Sequence, residues 1–262
     1  MSAIASPGGR EQNTEGWIGR LRGANLAVGL MHAAQAAVIL ALANDFALPV
    51  TATFLAGPPG SDAPPPTTLF DLRIAWGVAL FLLLAAADHL LVAMPGVVGW
   101  YDTNLRRGRN DARWIEYSVS ASVMVVLIAM LTGINDVAAL GAIFGINAAM
   151  ILFGLLMEHY ERPGRPNWLA YWFGVLAGAI PWLLIGIYLW SPGSDASPPG
   201  FVYAIFVSLF LCFNSFAVNL VLQYKRIGPW RDYLFGEAAY IVLSLTAKTA
   251  LAWQVFGGTL AR

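Results

Sequence analysis

The chain has 262 residues, 58% of them hydrophobic and only 11% charged, with a mean hydropathy of +0.64. Soluble domains carry roughly a quarter of their residues as charges, so this is the composition of an integral membrane protein. Fifteen basic residues balance fifteen acidic ones, which excludes a global field directed at nucleic acid, and the single cysteine, Cys212, excludes an intramolecular disulfide.

Residues up to Glu15 are polar, and the apolar segment after them is too long for a cleaved signal peptide, so about 1–20 reads as an N-terminal tail. Seven apolar stretches follow, each near the roughly 20 residues that span a bilayer. They are segments A (21–43), B (74–94), C (114–131), D (137–157), E (168–190), F (201–224) and G (233–256). Nothing is left for a second domain, and the sequence describes one all-α, rhodopsin-like bundle of seven transmembrane helices over 1–262. The A–B connection, 45–71, is the only long one, and Gly57-Pro58-Pro59-Gly60 with Pro64-Pro65-Pro66 forbids a helix there. The C–D and F–G links are short, which makes those helices antiparallel neighbours. Gly141-x-x-x-Gly145 in D and Gly174-x-x-x-Gly178 in E permit close helix approach, first of all inside the bundle. Pro181 is expected to kink E or to be relieved by a neighbouring helix.

Basic residues set the orientation. Arg10, Arg20 and Arg22 precede A; Arg106, Arg107, Arg109 and Arg113 lie between B and C; Arg162 and Arg165 between D and E; Lys225, Arg226 and Arg231 between F and G. That is twelve of the fifteen, with Arg73 and Arg262 on the other side and Lys248 within the membrane. The positive-inside rule then makes the N-terminus cytoplasmic, the A–B loop and the C-terminus extracellular, and the protein a multi-pass component of the cell membrane.

Lys248 stands in the apolar run 243–251. A lysine at mid-membrane costs about 3 kcal/mol on insertion scales and marks a functional site by default. Arg113, Glu116 and Ser120 share one face of segment C at i, i+3 and i+7, and Glu116 is the proposed partner of Lys248, the alternative being an interfacial pair with Arg113. Ser244 lies one turn before Lys248. His32 in A, Asp88 and His89 in B, Glu158 in D and Glu237 in G share the cytoplasmic half and suggest, with Arg113, a hydrated polar cavity there. Trp253 and the aromatics of E and F could wall a chromophore. A buried lysine of this kind is a permanent ion pair, a proton relay or a Schiff-base nucleophile.

Seven helices with a lysine in the seventh and a carboxylate in the third resemble the retinal-binding rhodopsins. The motifs Arg113-Trp114-Ile115-Glu116-Tyr117-Ser118, Asn219-Leu220-Val221-Leu222-Gln223-Tyr224-Lys225, Ser244-Leu245-Thr246-Ala247-Lys248 and Leu251-Ala252-Trp253-Gln254-Val255-Phe256 narrow this to the heliorhodopsin family, which is known for a cytoplasmic N-terminus. The resemblance implies that Lys248 carries all-trans retinal as a Schiff base, that Glu116 is its counterion, and that Ser244 and Ser120 lie beside it. It also implies that Trp114, Tyr117, Asn214 and Trp253 belong to the retinal site and that His32 and His89 line a cytoplasmic-side cavity. Family members are dimers with a structured outer A–B loop.

Pumps of this general shape carry a carboxylate one turn before the lysine and a proton donor eleven residues after the counterion; here those positions hold Ser244 and Leu127. The resemblance therefore implies a non-enzymatic light sensor in the bilayer with a cytoplasmic signalling partner. A light-driven pump or channel is the alternative, followed by a zinc-dependent membrane hydrolase using His32, His89 and carboxylates. The histidines have no ligand spacing on one helix, so no metal site is expected.

Overall fold

The protein is described by a computed structural model covering residues 7–191 and 193–261, with side chains from Thr14 onward. The side chain of Arg10 and the whole of Arg262 lie outside the described residues. The chain runs α1 (Pro7–Leu42), β1 (Ala47–Ala52), β2 (Thr67–Arg73), α2 (Ile74–Ala93), α3 (Val98–Arg106), α4 (Asp111–Leu131), α5 (Val137–Tyr160), α6 (Leu169–Trp190), α7 (Gly200–Tyr224), a 3-10 turn (Gly228–Arg231) and α8 (Tyr233–Val255), which ends in a π-helical turn (Phe256–Leu260). All of these helices but α3 contain a segment long and apolar enough to cross a membrane, which makes the chain a multi-pass membrane protein.

Neighbours pack around a ring, α1 on α2, α2 on α4, α4 on α5, α5 on α6, α7 on α8 and α8 back on α1, while α6 and α7 meet only sparingly. In the half of the ring nearer the β-strands the interior is filled by Phe81, Leu82, Met124, Val125, Leu127, Ile128, Leu251 and Val255. Lipid tails are as apolar as these side chains, so close packing rather than removal from water holds this half together. Gly77 shows how tight it is: a Cβ there would stand 2.6 Å from Leu127 Cδ2.

Three features depart from the sequence reading. The tail assigned to about 1–20 is helical from Pro7, because Ile18 and Leu21 pack with Val28, Val92, Tyr101, Leu105, Leu234 and Ile241 and carry α1 beyond the bilayer-length run. The B–C link contains α3, whose inner face, Tyr101, Asn104 and Leu105, is buried while Trp100, Thr103 and Arg106 are exposed. Finally, the long A–B connection forms an antiparallel hairpin that pairs Ala47 with Arg73 and Val50 with Phe70, with a bulge after Val50. Pro58, Pro59, Pro64, Pro65 and Pro66 fall between the strands, where no ladder hydrogen bond is lost, while Pro49 lies within β1 opposite Asp71. As expected, no helix occurs between β1 and β2.

The small-residue pairs divide. Gly174 and Gly178 face Phe153 and Met150 of α5 inside the bundle, but the exposed Gly141 and Gly145 have open space where a Cβ would be, so the expected internal packing does not hold for that pair. α6 continues through the buried Pro181 without interruption.

Asn44 joins the elements of the hairpin end. Its Nδ2 donates to Thr259 O at 2.9 Å, its backbone N–H to Leu260 O at 3.0 Å, and its Oδ1 accepts from Phe46 N at 2.9 Å. Replacing Asn44→Ala removes these two side-chain bonds, each worth about 1 kcal/mol net, together with a longer, exposed one to Ala261 O at 3.5 Å. A loss of about 2 kcal/mol is expected in reversible unfolding in detergent, with the helical circular dichroism of the native protein unchanged.

Candidate functional site

Helix α4 begins at Asp111, three residues before the apolar run, because Asn110 caps it by accepting from Arg113 N at 3.1 Å. This early start sets Glu116 more than one turn inside the helix, at the depth of Lys248 on α8. Lys248 Nζ donates to Glu116 Oε2 at 3.2 Å and to Ser244 Oγ at 3.0 Å, and lies 4.7 Å from the centre of the Tyr117 ring. Both charged side chains are less than a tenth exposed. At 3.2 Å, the attraction is about 5 kcal/mol for an effective dielectric constant near 20, set against the desolvation of both ions. Glu116 Oε1 and the buried Ser120 Oγ have no hydrogen-bond partner in the protein. The site thus holds unused polar capacity directly beside the amine.

A cavity of about 70 Å³ begins at Lys248 and Ser244 and is walled by Trp114, Tyr117, Met124 and Phe216. It shares Trp114, Met150, Ile151, Phe213 and Phe216 with a larger cavity of about 390 Å³ between α5, α6 and α7. The outer rim of the larger space carries Trp172, Val175, Phe210 and Asn214, all exposed, at the place where α6 and α7 meet sparingly. Trp114 fits between these spaces because residue 154 is glycine; a Cβ there would lie 2.2 Å from the indole ring. An elongated, apolar, aromatic-lined space ending on an amine suits a polyene aldehyde. The unpartnered Glu116 Oε1 and Ser120 Oγ lie where such a linkage would join the protein.

The polar residues expected to form one cavity separate into two groups. His32 and His89 stack between α1 and α2 with ring centroids 5.9 Å apart, and Asp88 lies in electrostatic reach of Glu116 and Lys248. Arg113, Glu158 and Glu237 instead form a buried triad joining α4, α5 and α8. Arg113 therefore does not pair with Glu116, which removes the alternative pairing for that carboxylate. Asn110 N–H donates to Glu158 Oε2 at 2.8 Å, Asn110 Nδ2 to Glu237 Oε1 at 2.7 Å, and Tyr233 Oη to Glu158 Oε1 at 3.2 Å. The guanidinium also lies 4.0 Å from the centre of the Tyr240 ring.

Two expected retinal-site residues lie away from the amine. Trp253 comes five residues after Lys248, about 140° around the helix, and its Nε1 donates to Gln35 on the outer surface. Asn214 stands at the exposed rim and donates to Phe210 O at 2.8 Å. Sequence reasoning missed Asn25, Asn110, Tyr101 and Tyr233. Asn25 lies seven residues before His32, two turns along the same face, and that spacing was readable; the other three are brought in by segment ends. Among the described residues no three His, Cys, Asp or Glu side chains gather as metal ligands.

The family model described as Heliorhodopsin matches residues 21–260. No curated protein matches by sequence. Among solved structures, the chain is similar to the rhodopsin of Exiguobacterium sibiricum (TM-score 0.63, 14% identity, 91% of this chain and 95% of that one). It is also similar to the transmembrane domain of the Salpingoeca rosetta rhodopsin phosphodiesterase (0.64, 12%, 97% and 89%). A third likeness is to a light-driven proton pump of Leptosphaeria maculans (0.60, 15%, 91% and 94%). At these identities the likeness establishes the shared bundle fold.

The triad can be tested directly. Arg113→Gln leaves two buried carboxylates without their cation and is expected to cost about 3–5 kcal/mol of stability. Adding Glu237→Gln to it should recover most of that loss. Equal instability of the single and double variants in thermal unfolding would show that the charge balance of the triad is not what holds α4 to α5 and α8.

Proposed function

The chain belongs to the heliorhodopsin family and is a retinal-binding, light-responsive membrane protein, and on that premise we propose that it acts as a photosensory receptor rather than an ion pump. The observation that carries this is Lys248 Nζ, buried between Glu116 Oε2 at 3.2 Å and Ser244 Oγ at 3.0 Å at the inner end of an aromatic cavity. When bound, all-trans retinal supplies the light-absorbing polyene, its isomerisation, and a Schiff-base linkage to Lys248.

Each surrounding residue has a defined task. Glu116 holds the countercharge to the protonated nitrogen of Lys248, and Ser244 accepts a second hydrogen bond from it. Ser120 is a second hydroxyl lining the counterion side. Trp114, Tyr117 and Phe216 exclude water and confine the chain of the ligand to one direction, with Gly154 making room for the Trp114 ring. Asn214 marks the outer rim of this space, and we assign Trp253 no contact with the ligand. Once light has changed the surroundings of the amine, its proton passes toward His32, His89 and Asp88, because the hairpin half is packed largely with apolar side chains such as Leu127, Ile128, Leu251 and Val255. Ser244 and Leu127 stand where a pump needs carboxylates. A proton can thus leave and return on one side without crossing.

We propose that the side of α3, with the N-terminus, faces the cytoplasm, a reading supported by the excess of arginines there. The response would be read there by a signalling partner. We propose a homodimer, favoured by the outward Gly141 and Gly145 on α5, beneath a hairpin whose Thr51 N–H donates to Asn135 O at 2.9 Å. We propose no catalytic activity, since the enzyme among the similar structures is matched through its transmembrane domain alone.

Expression with all-trans retinal should give a visible absorption band that bleaches with hydroxylamine and is missing from Lys248→Ala; a band that persists in that variant would refute the attachment site. Glu116→Gln should shift the band to the red, because removing the countercharge destabilises the ground state more than the excited state. An unshifted band would move the counterion elsewhere. Illuminated vesicles should show no sustained pH change, whereas a proton gradient abolished by uncoupler would make the protein a pump.

A further inference from the structure

A line of polar contacts leads from the neighbourhood of Lys248 to α3, outside the membrane spans, and the photochemistry proposed above does not use it. His89 is buried on α2, with Nδ1 2.6 Å from Asn25 Oδ1 of α1. A carboxamide oxygen only accepts, so Nδ1 carries the hydrogen and Nε2 is the basic atom of the neutral ring. Asn25 in turn donates from Nδ2 to Tyr101 Oη of α3 at 3.1 Å. All three side chains are 5% exposed or less. At the inner end His89 stacks on the fully buried His32, neither of whose ring nitrogens has a hydrogen-bond partner in the protein.

The charged and titratable groups facing this line are few. Lys248 acts on both histidines, and Glu116 and Asp88 lie beside it. At the outer end Glu237, Arg113 and Asp88 act on Tyr101, and Tyr101 acts on Tyr233. Burial, with Glu237 adding to it, holds the Tyr101 phenol well above its ordinary range, so it remains a neutral hydroxyl. α3 is built to respond: Tyr101 and Leu105 sit in an apolar cluster, and its exposed face is tied to α1 by the Arg106–Glu15 ion pair at the surface.

We infer that α3 is the output element of the light response and that the line His89–Asn25–Tyr101 carries the change of charge at Lys248 to it. This rests on the retinal reading of the site. Loss of the proton from Lys248 Nζ changes the field at the histidine pair by one charge. A proton taken up at His89 Nε2 makes an imidazolium, whose Nδ1–H binds Asn25 Oδ1 more strongly. The planar carboxamide passes that pull to Nδ2 and the Tyr101 hydroxyl. α3 then shifts against α1 and loosens the Arg106–Glu15 pair.

Spin labels on Thr103→Cys of α3 and Tyr160→Cys at the end of α5, in a Cys212→Ser background, measure this by pulsed electron resonance in the dark and after trapping the blue-shifted illuminated form. The parent protein should show a change of about 2 Å in the interspin distance, the scale of known helix shifts. Tyr101→Phe and Asn25→Leu should keep the dark distance and the blue-shifted form but lose the change, and Lys248→Ala should show none. A constant distance in the parent while the blue-shifted form accumulates would overturn the relay and leave the retinal site intact, as would a full change in both line variants. A labelled parent without any visible band would overturn the retinal reading and the relay with it.

Discussion

A lysine ammonium 3.2 Å from a glutamate inside an apolar bundle constrains everything around it. Neither ion is tolerable alone at that depth, so the two helices that carry them must hold their relative height to within a fraction of a turn. Asn110 starts α4 early enough for Glu116 to reach the pair. Ser244 adds a hydroxyl on the same face of α8, and Tyr117 lays its ring against the amine. The helix ends on the arginine-rich side are fixed in turn by Arg113, which binds carboxylates from α5 and α8 and so ties three of the spans together.

The charged groups of the interior are concentrated in one half of the bundle. On the side of α3 the interior holds the histidine pair, Asn25, Asp88 and the Arg113 triad. On the hairpin side it holds mostly Leu, Ile, Val, Met and Phe, with Ser122 and Asn147 bonded to each other, and is closed by Asn44 and the π-helical turn at the end of α8. The carboxylates and histidines near Lys248 thus lie on the side of α3.

Some of the site was legible because chemistry forces it. Lys248 and Glu116 stood out because each is costly in isolation and a buried carboxylate needs a cationic partner. The split of the polar residues into two groups was not legible, since Arg113 and Glu116 lie on the same helical face and only the positions of α5 and α8 decide which carboxylates Arg113 meets. Trp253, five residues after Lys248, donates to Gln35, a contact set by the packing of α8 on α1. α3 escaped because nine residues with two buried hydrophobes do not resemble a membrane span, and their burial depends on α1 and α8.

Hydropathy alone determined the number of spans, the hairpin connection as the one long loop, and the lysine around which a chromophore site could form, because these depend on composition along the chain. The tertiary structure decided which polar groups meet. Helix depth, set by caps such as Asn110, and the close approach permitted by Gly154 and Gly77 are relations between segments far apart in sequence. No local pattern encodes them. They fix Glu116 on Lys248, Arg113 on Glu158 and Glu237, and Tyr101 on Asn25, since a buried hydrogen bond forms only where packing brings both partners to within about 3 Å.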